Sequence, residues 1–263
     1  MKTMRYTTGL MAGLGLLLAM MLCSPAPVHA GWGYGPDNIW DAAKNGDLPK
    51  VKQYLKADPK LLNALSQYHN NTPLEAAALG GHAEVFTYLL AQGAAVDKKT
   101  LMHYASARGN LSIIRAALAT GADINAFDKY GETPLMWAVD DAWPLDWKPA
   151  DVPKLDAIRL LVKSGANVNA KNPLTGETPV MHVLSSDALA VIQYLVENGA
   201  DVNAKSKHGD SALLGARSLD VLRYLVNKGG DVRAKNDRGD TVFLRIAGGW
   251  DTGDNQLSFI IRG

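Results

Sequence analysis

Asp140, Asp141, Asp146 and Asp151 crowd one short stretch of the chain. Two carboxylates held in different protonation states can act as general acid and general base, so this run is the foremost candidate for catalysis, of hydrolytic type if any. Asp251-Thr252-Gly253-Asp254-Asn255 has the residue types of a calcium loop. Neither stretch has the spacing of an EF-hand, which needs a glycine and a distal glutamate at fixed places, so both read as solvated loops. His69, His82, His103, His182 and His208 stand at separate levels of the chain without metal-ligand spacing. There is no phosphate-binding glycine loop, no nucleophile elbow and no zinc-protease helix. The expectation is a non-enzyme with neither metal nor cofactor.

The residues 140 to 153 offer a different chemistry. They hold Trp143, Leu145 and Trp147, two of the six tryptophans of the chain, among Pro144, Pro149 and Pro153. The prolines argue against a helix. Aromatic side chains on exposed loops anchor partners, but a tryptophan is rarely left in water, and both rings have the alternative of folding back over the ends of neighbouring helices.

The elements that must position these residues begin after a leader. Lys2 and Arg5, the apolar stretch Leu10 to Leu22, and Val28-His29-Ala30 follow one another in the order of a secretory signal peptide, with cleavage expected after Ala30. The apolar stretch is short for a membrane span and no second long one follows, so no stable membrane insertion is expected. Cys23, the single cysteine, follows Leu22, whereas bacterial lipoproteins resemble one another in carrying Gly, Ala or Ser before the lipidated cysteine. Cys23 therefore reads as a neutral residue of the leader, and the processed protein as free of disulfides.

The whole chain carries 27 basic and 26 acidic residues; without residues 1–30 there are 25 against 26. Opposite charges are interspersed, which is not the clustered basic surface that binds nucleic acid.

From residue 38 onward the chain repeats itself. Thr72-Pro73-Leu74, Thr100-Leu101-Met102, Thr133-Pro134-Leu135, Thr178-Pro179-Val180, Ser211-Ala212-Leu213 and Thr241-Val242-Phe243 recur at steps of 28, 33, 45, 33 and 30 residues. A companion phrase travels with it: Gly93-Ala94-Ala95-Val96, Gly121-Ala122-Asp123-Ile124-Asn125-Ala126, Gly165-Ala166-Asn167-Val168-Asn169-Ala170, Gly199-Ala200-Asp201-Val202-Asn203-Ala204 and Gly229-Gly230-Asp231-Val232-Arg233-Ala234. The Thr hydroxyl can cap backbone amides while Pro takes the first helical position. Ala76-Ala77-Ala78 lets neighbouring units approach closely. Val85, Leu89 and Leu90, then Ile113, Ala117 and Leu118, Val191, Leu195 and Val196, and Val221, Leu225 and Val226 have the spacing of a second helix with one apolar face. The following Gly suits a left-handed helix end, and Asn70 takes the place of glycine in one turn. Tyr54, Tyr88, Tyr194 and Tyr224, each before a Leu of the second helix, read as packing residues.

Period and wording resemble the ankyrin repeat, a unit of one turn and two helices, over nearly all of residues 38 to 263. The resemblance implies an all-α solenoid of about seven helix-turn-helix units joined by short inter-repeat β-hairpins. The leader occupies 1–30 and the repeat domain 31–263, in units at about 38–64, 65–97, 98–126, 127–170 with the insertion 140–153, 171–204, 205–234 and 235–263. The first unit lacks Thr-Pro-Leu, as a terminal cap does, the third has lost its hairpin wording, and the last runs out after Gly248-Gly249. At His103 the ankyrin phrase itself carries histidine, implying a structural imidazole; His182 falls one position later than that slot.

The resemblance also implies a protein-protein interaction module, probed at its hairpin tips and along the inner face of each first helix. By position these are Gln67, Tyr68 and His69; Lys129, Tyr130 and Glu132; Leu174, Thr175 and Glu177; Lys207, His208 and Asp210; Asp237, Arg238 and Asp240. On the helix face they are Leu79, Arg108, Asp140 and Asp141, with Trp143, Leu145 and Trp147 added by the insertion. Similar exported proteins are familiar chiefly in bacteria, beside periplasmic enzymes, in stress defence, or as immunity proteins that neutralise a toxin. The expectation is a monomeric periplasmic binding protein; a secreted effector acting on a host protein is the alternative.

Overall fold

The computed structural model describes residues 38–67, 70–140, 154–183, 189–216 and 218–247. Twelve α-helices run through them in antiparallel pairs, and among the described residues none forms a β-strand. The pairs are α1 (Ile39–Lys44) with α2 (Leu48–Ala57), α3 (Pro73–Gly80) with α4 (Ala83–Ala91), α5 (Leu101–Ala107) with α6 (Leu111–Ala119), and α7 (Pro134–Val139) with α8 (Lys154–Lys163). A 3-10 turn at Pro59–Asn63 follows the first pair, and another at Pro179–Met181 stands where a first helix is expected beside α9 (Leu189–Glu197). Then come α10 (Ala212–Gly215) with α11 (Leu219–Asn227), and α12 (Val242–Ala247).

The caps follow the sequence closely at some levels and not at others. Thr72 Oγ1 accepts from the Glu75 amide at 3.3 Å while Glu75 Oε2 accepts from the Thr72 amide at 2.8 Å, a reciprocal cap on α3. Thr133 Oγ1 accepts from Met136 at 3.3 Å and starts α7. Thr100 makes no cap on α5: it is itself helical, and its hydroxyl donates to Glu75 of the previous pair at 2.8 Å. Thr178 makes none either, and its helix shrinks to the 3-10 turn.

First helices stack on first helices and second on second, α1 to α3 to α5 to α7 and α2 to α4 to α6 to α8 to α9 to α11, which gives two parallel layers with the core between. Ala76, Ala77 and Ala78 are buried at the closest approach. The apolar stripe of the second helices is one residue wider than its spacing suggests. Phe86, Ile114, Ile192 and Leu222 join Val85, Leu89, Ile113, Ala117, Leu195, Val221 and Leu225 in the core, while Leu90, Leu118, Val191, Val196 and Val226 are only partly covered. Tyr54, Tyr88, Tyr194 and Tyr224 pack half-buried against it as expected. Lys52, Arg159 and Lys228 lie over the rings of Tyr88, Tyr194 and Tyr224.

The glycine phrase ends each second helix, with φ between 75° and 100° at Gly93, Gly121, Gly165, Gly199 and Gly229; Asn70 also has positive φ. Its asparagine does more. Asn125 donates to Gly165 O at 3.0 Å and accepts from the Asn167 amide at 2.8 Å. Asn169 repeats this with Gly199 and Asp201, and Asn203 with Gly229 and Asp231. Each asparagine thus satisfies a donor and an acceptor of the next unit. The ladder stops where Arg233 replaces asparagine.

Candidate functional site

The turns between pairs all stand on one side of the stack, and one polar residue organises each. Asp128 Oδ1 accepts from the amides of Tyr130 and Glu132, both at 2.8 Å. Asn172 Oδ1 accepts from Leu174 at 2.8 Å and Thr175 at 3.3 Å. Ser206 Oγ accepts from His208 and Asp210, and Asn236 Oδ1 from Arg238 and Asp240. Main-chain bonds close each turn, from Asp128 to Glu132, Asn172 to Glu177, Ser206 to Asp210 and Asn236 to Asp240. Gly131 and Gly176 sit at the bends with φ 74° and 77°. A Cβ on Gly131 would run into the Asn172 side chain, and one on Gly176 would come within 2.7 Å of the Lys207 amide nitrogen.

Successive tips are tied into a continuous edge. Asn172 Nδ2 donates to Tyr130 O at 3.0 Å, Lys207 N to Thr175 O at 2.7 Å and Asp237 N to His208 O at 2.9 Å. Lys207 Nζ reaches Pro173 O at 2.6 Å.

Between the fourth and fifth tips this edge opens into a groove of about 460 Å³, lined by Tyr130, Glu132, Trp137, Asp140, Asn172, Thr175 and Glu177. Trp137 comes from α7, where the corresponding position of α3 carries Ala76. Its ring N–H donates to Asp128 Oδ2 at 3.1 Å, and its ring packs edge-on against His103 and Tyr104 at centroid distances of 5.5 and 5.8 Å. His103 in turn is 1 % exposed and holds Glu132 O through Nε2 at 2.9 Å. Its role is structural. Burial, and then the charges of Asp128, Asp140 and Glu177, push the Glu132 carboxyl above its usual value, opposed by Trp137. Behind the groove, burial and the carboxylates of Glu75, Asp128 and Asp97 push Tyr104 up to about 12.

Of the residues expected from sequence, Tyr130, Thr175, Asp140, Glu132 and Glu177 line this groove; Leu174, on the same tip as Thr175, is not among the lining residues and is 61 % exposed. Lys129 folds its ammonium over the Tyr130 ring at 4.8 Å. Lys207, His208, Asp237 and Arg238 make the next two tips. His208 Nδ1 lies 3.9 Å from Asp237, and Arg238 lies 3.4 Å from Asp240 and 3.9 Å from Asp210. Arg108 is not among the groove residues: at the end of α5 its Nε donates to Leu79 O at 2.8 Å, tying two first helices together. His182 lies 3.7 Å from Glu177 Oε2. Burial and then Arg108 hold His82 below its ordinary value, against a backbone bond to Lys44. Tyr68, His69, Asp141, Trp143, Leu145, Trp147 and the leader with its cleavage point at Ala30 lie outside the described residues.

Two residues of the groove, Trp137 and Asn172, do not stand out in the sequence as site residues. For Trp137 the available signal is a bulky aromatic at an alanine position. Asn172 carries no such signal, because asparagine is an ordinary turn residue. Among the described residues no group of histidines, cysteines or acids could hold a metal ion, and no helix is long and apolar enough to cross a membrane.

Comparison with known proteins points the same way. The solved ankyrin repeat domain of Bcl-3, described as a unique member of the IkappaB protein family, superposes with a TM-score of 0.57 at 26 % identity, covering 88 % of this chain and 99 % of that one. A putative ankyrin repeat protein of Rickettsia felis is 32 % identical over 136 residues, 49 % of this chain and 58 % of the relative. The E3 ubiquitin-protein ligase KEG of Arabidopsis thaliana is 31 % identical over 151 residues, 57 % of this chain but 7 % of that protein. The chain thus spans only part of the length of these two relatives. The model of ankyrin repeats in three copies matches residues 39–128, 93–142 and 150–236. Described repeats, stacked helices and matched residues agree, and the chain belongs to the ankyrin repeat family.

Proposed function

We propose that this protein is an exported, monomeric binding module without catalytic activity, which docks a partner protein on the tip edge and groove of its fourth and fifth repeats. The observation that carries this reading is the groove itself. It is concave and holds aromatic and acidic side chains together; Tyr130, which lines it, is 52 % exposed, and Leu174, next in sequence to the lining residue Thr175, is 61 % exposed. Large apolar side chains held in water on a rigid edge are what interfaces bury. The array is taken as seven units, the connections between them being hydrogen-bonded turns without β-strands among the described residues, and the insertion 140–153 belongs by sequence to the fourth, whose Tyr130, Glu132, Trp137 and Asp140 line the groove. The leader directs the chain to the periplasm, where binding would regulate a partner, as in stress defence or toxin neutralisation.

Purified protein immobilised on resin is expected to retain a discrete protein from a periplasmic extract of its source, and Tyr130→Ala with Leu174→Ala to reduce that retention about tenfold or more. Retention unchanged by the double substitution places the interface elsewhere. Export is read separately: the cellular protein should fractionate with the periplasm and begin at Gly31, and a cytoplasmic protein that retains its first residues contradicts it.

A further inference from the structure

We propose that the tip edge binds an extended acidic segment of a protein partner. Its carboxylates, three residues apart, meet Lys171, Lys205 and Lys235 in turn, while an apolar residue of the same segment rests on Phe127. This rests on the binding-module reading and names the chemistry of the partner. Phe127, Lys171, Lys205 and Lys235 stand at one repeated position, each entering a turn just before its organising residue, Asp128, Asn172, Ser206 or Asn236. All four are exposed, and each follows a buried alanine, Ala126, Ala170, Ala204 or Ala234. The backbone is thus held on both sides of every member, and the row stands on a fixed frame.

Two separate features mark the row as a binding surface. One is charge. Among the described residues no carboxylate pairs with Lys171, Lys205 or Lys235, because the acids of the same turns are engaged elsewhere. Asp237 lies against His208, Asp210 and Asp240 lie against Arg238 and Arg245, and Asp201 and Asp231 each accept the amide two residues on. The other is Phe127, 47 % exposed in register with the lysines. A large aromatic ring held in water on a rigid edge is what an interface buries.

Spacing selects the shape of the partner. Packed helices lie about 8–10 Å apart, which sets the step from one unit to the next. A polyproline II segment rises about 9 Å in each three-residue turn and so presents every third side chain to the same side. A strand alternates its faces, and residues three apart would point away from each other. The matching sequence is apolar-x-x-acid-x-x-acid-x-x-acid or its reverse. Nucleic acid fits less well, because Asp201, Asp231 and Asp237 are exposed close to the lysines in the chain and would repel a continuous run of phosphates.

Fluorescence anisotropy of a labelled synthetic peptide tests this. The peptide carries a leucine with glutamates three, six and nine residues after it, and proline and serine between. It should bind about tenfold or more tightly than a peptide of the same composition whose glutamates are consecutive, and its affinity should fall with added sodium chloride. Lys171→Gln with Lys205→Gln and Lys235→Gln should bind it about tenfold or more weakly, and Phe127→Ser should also weaken it. Lys56→Gln with Lys60→Gln and Lys163→Gln removes the same charge from exposed lysines of α2, the first 3-10 turn and α8, and should bind as the parent does. Melting temperatures should show all variants folded. Equal binding of the two peptides, equal binding by the edge variant, or no binding overturns the proposal. Tighter binding of single-stranded DNA of equal charge overturns it as well, by marking a general polyanion surface. Retention of a protein from extract, read with Tyr130→Ala and Leu174→Ala, decides the binding-module reading separately.

Discussion

Asn172 is 3 % exposed and works in three directions, organising the fifth tip through Oδ1 and holding the fourth through Nδ2 on Tyr130 O. Asn172→Ala removes three partly buried hydrogen bonds, so it should lower stability to urea by about 1–3 kcal/mol. A change within about 0.5 kcal/mol would mean that the tips are held otherwise. The residue was illegible in sequence because its partner, Tyr130, lies 42 positions away across the insertion that lengthens this one repeat. Glu132 gives a prediction of opposite sign. Its carboxyl is raised in the fold, chiefly by burial, so above that raised value its charge is penalised in the folded state alone. Stability contributed by this group therefore grows as pH falls through the raised folded value toward the unfolded one. Glu132→Gln should melt higher than the parent at neutral pH, the difference closing near about pH 4; a lower melting point at neutral pH would show the charge to be held favourably.

Among the elements, the same wording gives different outcomes. After Thr72-Pro73 come Leu74, Glu75 and three alanines, which combine good helix formers with a glutamate placed for the reciprocal cap. After Thr178-Pro179 come Val180, Met181, His182 and Val183, β-branched at two positions and without that glutamate, and the helix stops at one 3-10 turn. Thr72→Ala should cost about 1 kcal/mol. Thr178 is 1 % exposed and its hydroxyl has no hydrogen-bond partner among the described residues, so Thr178→Val, which keeps the shape, should be neutral or stabilising. Thermal unfolding of the two variants checks both, and a Thr178→Val loss as large as that of Thr72→Ala would reveal a bond at that hydroxyl. Helix positions were thus readable from period and phrase, whereas helix length depended on the few residues after each phrase. The wider apolar stripe through Phe86, Ile114, Ile192 and Leu222 reflects burial from both layers, which a single-face pattern underestimates.

At the scale of the whole molecule the stack converts local sequence into one continuous edge. Among the described helices each pair packs on its neighbours, the Asn125, Asn169 and Asn203 rungs fasten the loops that leave the second helices, and the tip-to-tip bonds fasten the turns that follow three residues later. Repetition made the solenoid legible from Thr-Pro-Leu and Gly-Ala-Asp alone. The groove was not, because it arises from what differs between repeats: Trp137 in place of a small residue, and Glu132 and Glu177 brought to one hollow from adjoining units. The site-specific test of partner docking follows from that geometry. A photo-crosslinking residue introduced at Leu174, exposed on the fifth tip beside Thr175 of the groove, should join the protein in living cells to one discrete partner, while the same residue at Asp220 on helix α11 should not. Equal crosslinking at both positions, or crosslinking at Asp220 alone, would contradict docking at the fourth and fifth repeats.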